Sequence, residues 1–301
     1  MHRFKKSVGA HWQLYLLLLP TVIYFFIFHY IPMMGVQIAF KDYMAVKGIW
    51  GSNWVGFKHF DRFFASYSAQ TVILNTILLA AWQLTVSFPI PIVLALMINQ
   101  HPNRKFQKVI QTITYMPHFI SVVVLVGVMV VFCSPTSGAI NRLLSMAGHD
   151  PIYFFGSAEW FRPLFIFSGI WQSAGWSSII YLAALSAVSP SLHEAAMIDG
   201  ASKWQRVLHV DLPSILPTIV VMLILACGQL MTIGFEKVYL MQTPLNLSQS
   251  EVILTYVYKV GLQDIQFSYS TAINLFNSLI NCVLILTVNA LSKRLGETSL
   301  W

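Results

Sequence analysis

Six stretches of this chain, 12–40, 70–99, 109–132, 163–188, 213–235 and 270–292, contain no Lys, Arg, Asp or Glu. Together they make up about half of the 301 residues, and every charged side chain lies in the other half. Each stretch can cross a bilayer, which takes about 20 apolar residues in a helix. Backbone inside lipid must satisfy its own hydrogen bonds, and a helix does so within one segment. Placing charge there is costly, which explains the segregation. The pattern predicts an all-α polytopic membrane protein with six transmembrane helices. A soluble fold is excluded on the same ground. Only 10% of the residues are charged, against about 25% in soluble domains, and the mean hydropathy is +0.67.

Lys and Arg set the orientation, because cytoplasmic loops are enriched in them. With the N-terminus inside, the cytoplasmic segments are 1–11, 100–108, 189–212 and 293–301. These short segments hold more than half of the Lys and Arg, among them Arg3, Lys5, Lys6, Arg104, Lys105, Lys108, Lys293 and Arg294. Both termini are therefore expected in the cytoplasm. The chain divides into a tail 1–11, a six-span domain 12–292 with a cytoplasmic loop 189–213, and a tail 293–301. A basic tail followed by Leu14 to Leu19 is like a signal peptide. The apolar run is too long for one and lacks an A-x-A site, so the first helix is expected to stay uncleaved. The net charge of +7 is explained by membrane flanks and requires no nucleic acid. Cys133, Cys227 and Cys282 are too few and too scattered for a disulfide framework or a metal cluster. Prolines 20, 32, 89, 91, 117, 213 and 217 punctuate the spans. They fit either kinked helices around a cavity or irregular packing.

The loop SPSLHEAAMIDGASKWQRVLHVDLP, Ser189 to Pro213, reads as two short helices. Ser191 and Glu194 match a capping box that starts the first near Leu192. Gly200 supplies the left-handed residue that ends it. Ser202 and Gln205 match a second box. Leu212-Pro213 then marks the turn into the fifth span, with Pro at an allowed first-turn position. Capping alone fits an amphipathic connector on the membrane surface. The small residues Ala195, Ala196 and Ala201 would also allow close approach to another protein.

Glu194-Ala195-Ala196, three residues, Gly200, nine residues, then Val210-x-Leu212-Pro213 resembles the EAA signature of ATP-binding-cassette (ABC) importer permeases. The family usually has Ile at the place of Val210. Ile38 to Tyr43 followed by Trp54 to Phe60 is similar to the first outer loop of the carbohydrate permeases of this type. Pro117 to Ser121, with Gly138 to Leu144 downstream, is similar to the branch of the larger maltose permease subunit. The resemblance covers essentially the whole chain and is nearest to the polysaccharide and oligosaccharide permeases, lipoprotein-dependent and alginate-type. The long outer insert of some maltose permeases is missing here.

The resemblance implies a type I ABC importer permease fold in a bacterial cytoplasmic membrane. It implies that Glu194, Ala195, Ala196, Asp199, Gly200, Ala201, Leu212 and Pro213 belong to a coupling helix and loop that dock on an ATPase. It further implies a second homologous permease, two ATPase subunits and an extracytoplasmic substrate-binding protein as partners, and alternating access as the mechanism. ATP and Mg would sit on those partners. The chain has no G-x-x-x-x-G-K-[ST] loop, so no nucleotide or other cofactor is expected on it and it is not expected to be an enzyme. His118 and Ser121 lie three apart, but no orienting acid is available at that depth, so packing explains them better than catalysis.

Uncharged polar and aromatic side chains suit a sugar. Asn274, Asn277 and Asn281 fall on one face of the sixth span. Gln229, Thr232 and Glu236 share a face of the fifth. Gln172 and Trp176 share one in the fourth, beside Trp171, and Asn75 and Trp82 share one in the second, beside Gln83. Such residues either line a path or join helices by hydrogen bonds. Trp50, Trp54, Phe154, Phe155 and Trp160 in the outer loops fit either an interfacial belt or a docking face for a binding protein. The spans offer no Lys or Arg for an acidic substrate. A stand-alone secondary carrier and a non-transporting assembly or sensor subunit are the competing functions. A secondary carrier usually keeps ionisable groups in its spans, and only His29 and His118 are present there.

Overall fold

The computed structural model describes residues 12–232 and 234–294. Residues 1–11 and 295–301, with the basic tail residues Arg3, Lys5 and Lys6, lie outside the described residues, so the placement of the termini is not described. The chain forms two compact units. The first takes residues up to Ser66 and Val257–Leu275; the second takes Tyr67–Tyr256 and the chain from Phe276 onward.

In the first unit, helix α1 runs Trp12–Phe40. Its middle, Phe26–Tyr30, widens into a π turn just before Ile31-Pro32. Proline has no N–H to donate and its ring crowds the carbonyl four residues back, so a wider turn accommodates it. None of Trp12–Phe25 is buried. A two-stranded ribbon follows, β1 Lys41–Asp42 with β2 Asn53–Trp54, in register Lys41 to Trp54. Lys41 is buried at its base; its Nζ donates to the Ile49 carbonyl at 2.7 Å and lies 4.8 Å from the Trp54 ring centre. Phe40 touches the rings of Trp54, Phe57 and Phe60. Helix α2, Lys58–Phe64, is tied back by Lys58 to Asp42 at 2.7 Å. His59 Nε2 lies 3.1 Å from the other oxygen of Asp42.

The hydrogen bond from Lys58 holds the Asp42 carboxyl below its ordinary value of 3.8, with Lys58 and His59 charge adding to it. A lowered carboxyl pKa stabilises the fold above the ordinary value. That contribution disappears as pH falls through the lowered one. Both side chains are well exposed, so the effect is small. Residues 38–43 and 54–60 thus fold as a ribbon and helix, which Tyr43 N–H, donating to Ser268 Oγ at 2.9 Å, and Arg62, over the Tyr269 ring, join to residues 267–269.

In the second unit, helix α3 runs Tyr67–Asn99, with a π turn at Gln83–Ser87 directly before the prolines 89 and 91. Helices α4, Arg104–Phe119, and α5, Val122–Phe132, meet at 97°. The expected continuous third span 109–132 is thus broken, shortly after Pro117. Helix α6 is Ala139–Met146, and α7 is Ala158–Ser186. At about 1.5 Å per residue, its 29 residues are long enough to cross a bilayer. Helix α8, Pro190–Ile198, leaves it at 73°.

Helix α9 runs unbroken from Lys203 to Cys227. No turn therefore separates the loop from the fifth span at Leu212-Pro213. The proline is absorbed by a π segment, Val207–Asp211. The fifth span also stops at Cys227 and not at 235. A short 3-10 turn, Leu230–Thr232, and helix α10, Phe235–Met241, follow. Helix α11, Phe267–Arg294, contributes its first part to the first unit and the remainder to the second.

Among the described residues, four helices are each long and apolar enough to cross a membrane, α1, α3, α9 and α11. Six crossings result when each bent pair counts as one.

Among the described residues, two apolar clusters stabilise the second unit. One gathers Leu79, Val126, Phe154, Phe155, Phe161, Phe165 and Val238; the other gathers Ile92, Ala95, Tyr181, Leu185 and Ile215. Phe154 and Phe155 therefore belong to the core and neither to an interfacial belt nor to a docking face, whereas Trp50 and Trp54 are exposed.

Candidate functional site

Helix α8 starts earlier than its capping pattern suggests. Ser189 is the N-cap residue and Pro190 the first helical residue, so the Ser191–Glu194 box does not form. Proline's fixed φ suits that position. The Ser191 hydroxyl instead lies 2.8 Å from that of Ser189, and Glu194 is left exposed. The helix ends as the sequence indicates. Gly200 has φ +77°, Ala201 N–H donates to Ala196 O and Gly200 N–H to Met197 O. These two bonds satisfy carbonyls that the helix end would otherwise orphan. The second box forms in full: Gln205 N–H donates to Ser202 Oγ, and Ser202 N–H donates to Gln205 Oε1 at 2.8 Å. The result is a helix, a tight turn and a second helix that presents Glu194, Ala195, Met197, Ile198 and Trp204 on its exposed surface.

This loop is anchored by Asp211, which is fully buried. One carboxylate oxygen accepts from Gln100 Nε2 at 2.6 Å, just past the end of α3. The other lies 3.2 Å from His193 Nε2 on α8. That second contact is not aligned as a hydrogen bond and leaves Oδ1 without a donor. Asp211 thus joins α3, α8 and α9. Asp211→Ala removes the anchor and strands a partner, at a local cost of about 1–3 kcal/mol. We expect trypsin to cut several-fold faster at Lys203 and Arg206 in this variant, with Asp211→Asn, which keeps an acceptor for Gln100, close to wild type. Equal cleavage rates in all three would remove Asp211 from this role.

The second feature is a cavity of about 560 Å³ between α3, α7 and α9. Gln83, Gln172, Gln229 and Thr232 line it, with Ser87, Ser173 and Ser177 adding hydroxyls. The proline-driven π turn brings Gln83 and Ser87 to the wall. Gly228 follows the end of α9, and Gly234, at φ +46°, restarts the chain toward α7. A side chain at Gly234 would collide with the Phe165 ring at 2.9 Å. That path carries Lys237, which lies beyond the expected fifth span 213–235, into the cavity wall. The expected spans hold no Lys or Arg, but the cavity wall does.

The remaining polar residues of the expected path sit elsewhere. Asn75 is buried and donates to the carbonyls of Ser248 and Glu251 while accepting from Arg162. Asn277 donates to Met231 O at 3.1 Å, and Asn281 accepts from Met231 N–H at 3.0 Å. Both serve backbone that the early end of α9 takes out of the helix. Gln172 has two tasks, since it also donates to Ile120 O at 2.8 Å, in the break between α4 and α5. Trp176 lies outside the lining and stacks on His118 beside that break, at 4.6 Å and 2°. Ser121 caps α5 through Val124 N–H, so His118 and Ser121 both have packing roles. Trp82, Trp171, Glu236 and Asn274 are exposed and outside the lining.

Residues 87–297 match the model of the binding-protein-dependent transport system inner membrane component. The chain belongs to that family. It is a transport subunit of an ABC importer and not an enzyme. The matched stretch takes in the loop 189–213 and nearly all of the cavity wall.

Among its relatives, the permease is 45% identical to the polygalacturonan/rhamnogalacturonan transport system permease protein YteP of Bacillus subtilis, over 96% of this chain and 90% of that one. It is 42% identical to protein LplB of the same organism, over 96% and 91%. It also superposes on a chain of a bacterial alginate ABC transporter, solved in complex with an alginate pentasaccharide-bound periplasmic protein. That match has a TM-score of 0.92 and 42% identity and covers 99% of this chain and all of that one.

Two residues of this permease escaped the sequence reading. Asp211 stood in the signature as an unspecified position, with only its spacing to His193 as a signal. Lys237 was hidden by the assumption of a continuous fifth helix, and Gly228 and Gly234 were the available warning.

Proposed function

We propose that the chain is one of two homologous permease subunits of an ATP-driven importer of acidic oligosaccharides. It is read as lying in a bacterial cytoplasmic membrane with both termini inside. Two ATPase subunits, which hold ATP and Mg, dock against Glu194, Ala195, Ala196, Asp199, Gly200 and Ala201. Leu212 and Pro213 transmit their movement into α9. An extracytoplasmic binding protein delivers substrate from the other side. ATP closes the ATPase pair, the loop moves with it, and the spans rock from inward-open to outward-open. Hydrolysis resets them. Substrate then passes through the cavity bounded by Gln83, Gln172, Gln229 and Thr232.

The observation that carries this reading is the loop geometry. A helix ended by a left-handed glycine exposes apolar Met197 and Ile198 to solvent, while buried Asp211 anchors its base to α3 and α9. Exposed apolar surface held rigidly is suited to a partner. The polygalacturonan and alginate systems named among the relatives support an acidic sugar chain as substrate.

The test is a mild-detergent pull-down of the tagged chain from its native membrane, read by mass spectrometry. Expected partners are a second six-span permease and an ATPase with a phosphate-binding loop. The ATPase should be lost when Glu194 and Gly200 are substituted together. Recovery of the chain alone would favour a stand-alone carrier.

A further inference from the structure

A buried ammonium without a counter-charge is costly, and Lys237 is such a group. The residue is 8% exposed and lines the cavity. Its Nζ donates to the Phe165 carbonyl at 2.8 Å and lies 4.7 Å from the centre of the Phe165 ring. Among the described residues no carboxylate stands within ion-pairing distance of it. One of its three N–H donors is used on Phe165, which leaves the others for the cavity. The surroundings make room for this. A Cβ at Gly169 would stand 3.3 Å from Nζ, so any side chain there would crowd the ammonium. Gly234 gives the backbone its left-handed turn at the start of α10.

We propose that Lys237 is the carboxylate-recognising group of the translocation cavity and selects chains that carry uronic acid. The missing counter-charge is supplied by the substrate in transit. The amides of Gln83, Gln172 and Gln229, on three different walls, take the ring hydroxyls. A single cation, already held by a backbone carbonyl and a ring, binds one carboxylate weakly enough to release it. A ring of cations would trap a polyanion. The inference rests on the oligosaccharide-importer reading and assigns its acid selectivity to one side chain.

The test uses the complete complex with its binding protein in proteoliposomes. Uptake of trigalacturonate and of its neutral methyl ester is measured for wild type, Lys237→Met and Lys237→Gln. Gln keeps a donor for the Phe165 carbonyl and removes only the charge. Each variant is compared with wild type on the same probe, so the preference of the binding protein cancels. The expected result is a loss of at least tenfold for the acid in both variants, with ester uptake changed less than twofold. Uptake of the ester by a variant where wild type refuses it supports the same assignment. An equal loss for both probes in both variants, or no loss for the acid, overturns it while leaving the importer reading intact. Wild-type uptake of neither probe overturns the acidic-oligosaccharide reading, and this inference falls with it.

Discussion

Replacing Gly200 with proline abolishes ATP-driven uptake, a fall of more than tenfold, while the protein still inserts in the membrane at wild-type levels. Proline is locked near φ −65°, and Gly200 sits at +77°. Proline also removes the N–H that donates to Met197 O. The turn between α8 and the second helix of the loop therefore cannot form, and Glu194 to Ile198 lose their fixed position. The six spans do not use this turn, so insertion is spared. Gly200→Ala is the graded control. Open space surrounds the position, so alanine meets only the left-handed penalty of about 1–2 kcal/mol, and its uptake falls between the two. Uptake assays alongside quantitation of the chain in washed membranes check both statements. Normal uptake by the proline variant would remove the loop from coupling.

Gly175→Leu has the opposite signature, with loss of the protein itself. A Cβ on Gly175 would stand 2.1 Å from the Thr114 carbonyl oxygen and 2.4 Å from its carbon. Those are backbone atoms of α4 and cannot swing away as a side-chain end would. Helices α4 and α7 must separate, and overpacking of this kind costs about 1–3 kcal/mol or more. Close approach through a small residue is how membrane helices gain packing without a hydrophobic drive. Separation also strains the contacts that hold the α4–α5 break, namely Gln172 to Ile120 and Trp176 on His118. We expect a several-fold fall in monodisperse protein after detergent extraction, with Gly175→Ala intermediate. Equal yields for all three would show that the helices can part at no cost.

Much of the fold was legible because charge and apolarity are local properties. Apolar helices run through the uncharged windows, four of them long enough to cross singly among the described residues, and the Ser202–Gln205 box and Gly200 were read from spacing alone. The failures share one cause: hydropathy carries no direction. A window over 109–132 scores the same whether straight or bent, so the 97° break after Pro117 stayed hidden. The face shared by Gln229, Thr232 and Glu236 assumed one continuous helix. Once α9 ends at Cys227 and the chain restarts from Gly234, Glu236 is exposed and its neighbour Lys237 faces the cavity. The Asn277–Asn281 face was counted correctly, but what it meets is the backbone at Met231, freed by that same helix end. The Ser191–Glu194 pattern lost to Pro190, whose fixed φ starts the helix sooner.

This permease is expected to move sugar only when ATPase partners drive its loop. Uptake of labelled trigalacturonate into proteoliposomes holding the purified complex and its binding protein, with Mg–ATP or Mg–ADP enclosed, tests this dependence. Accumulation is expected with enclosed ATP and none with ADP. No accumulation is expected from a proton or sodium gradient applied without nucleotide. Gradient-driven uptake by this chain in the absence of ATP would contradict it.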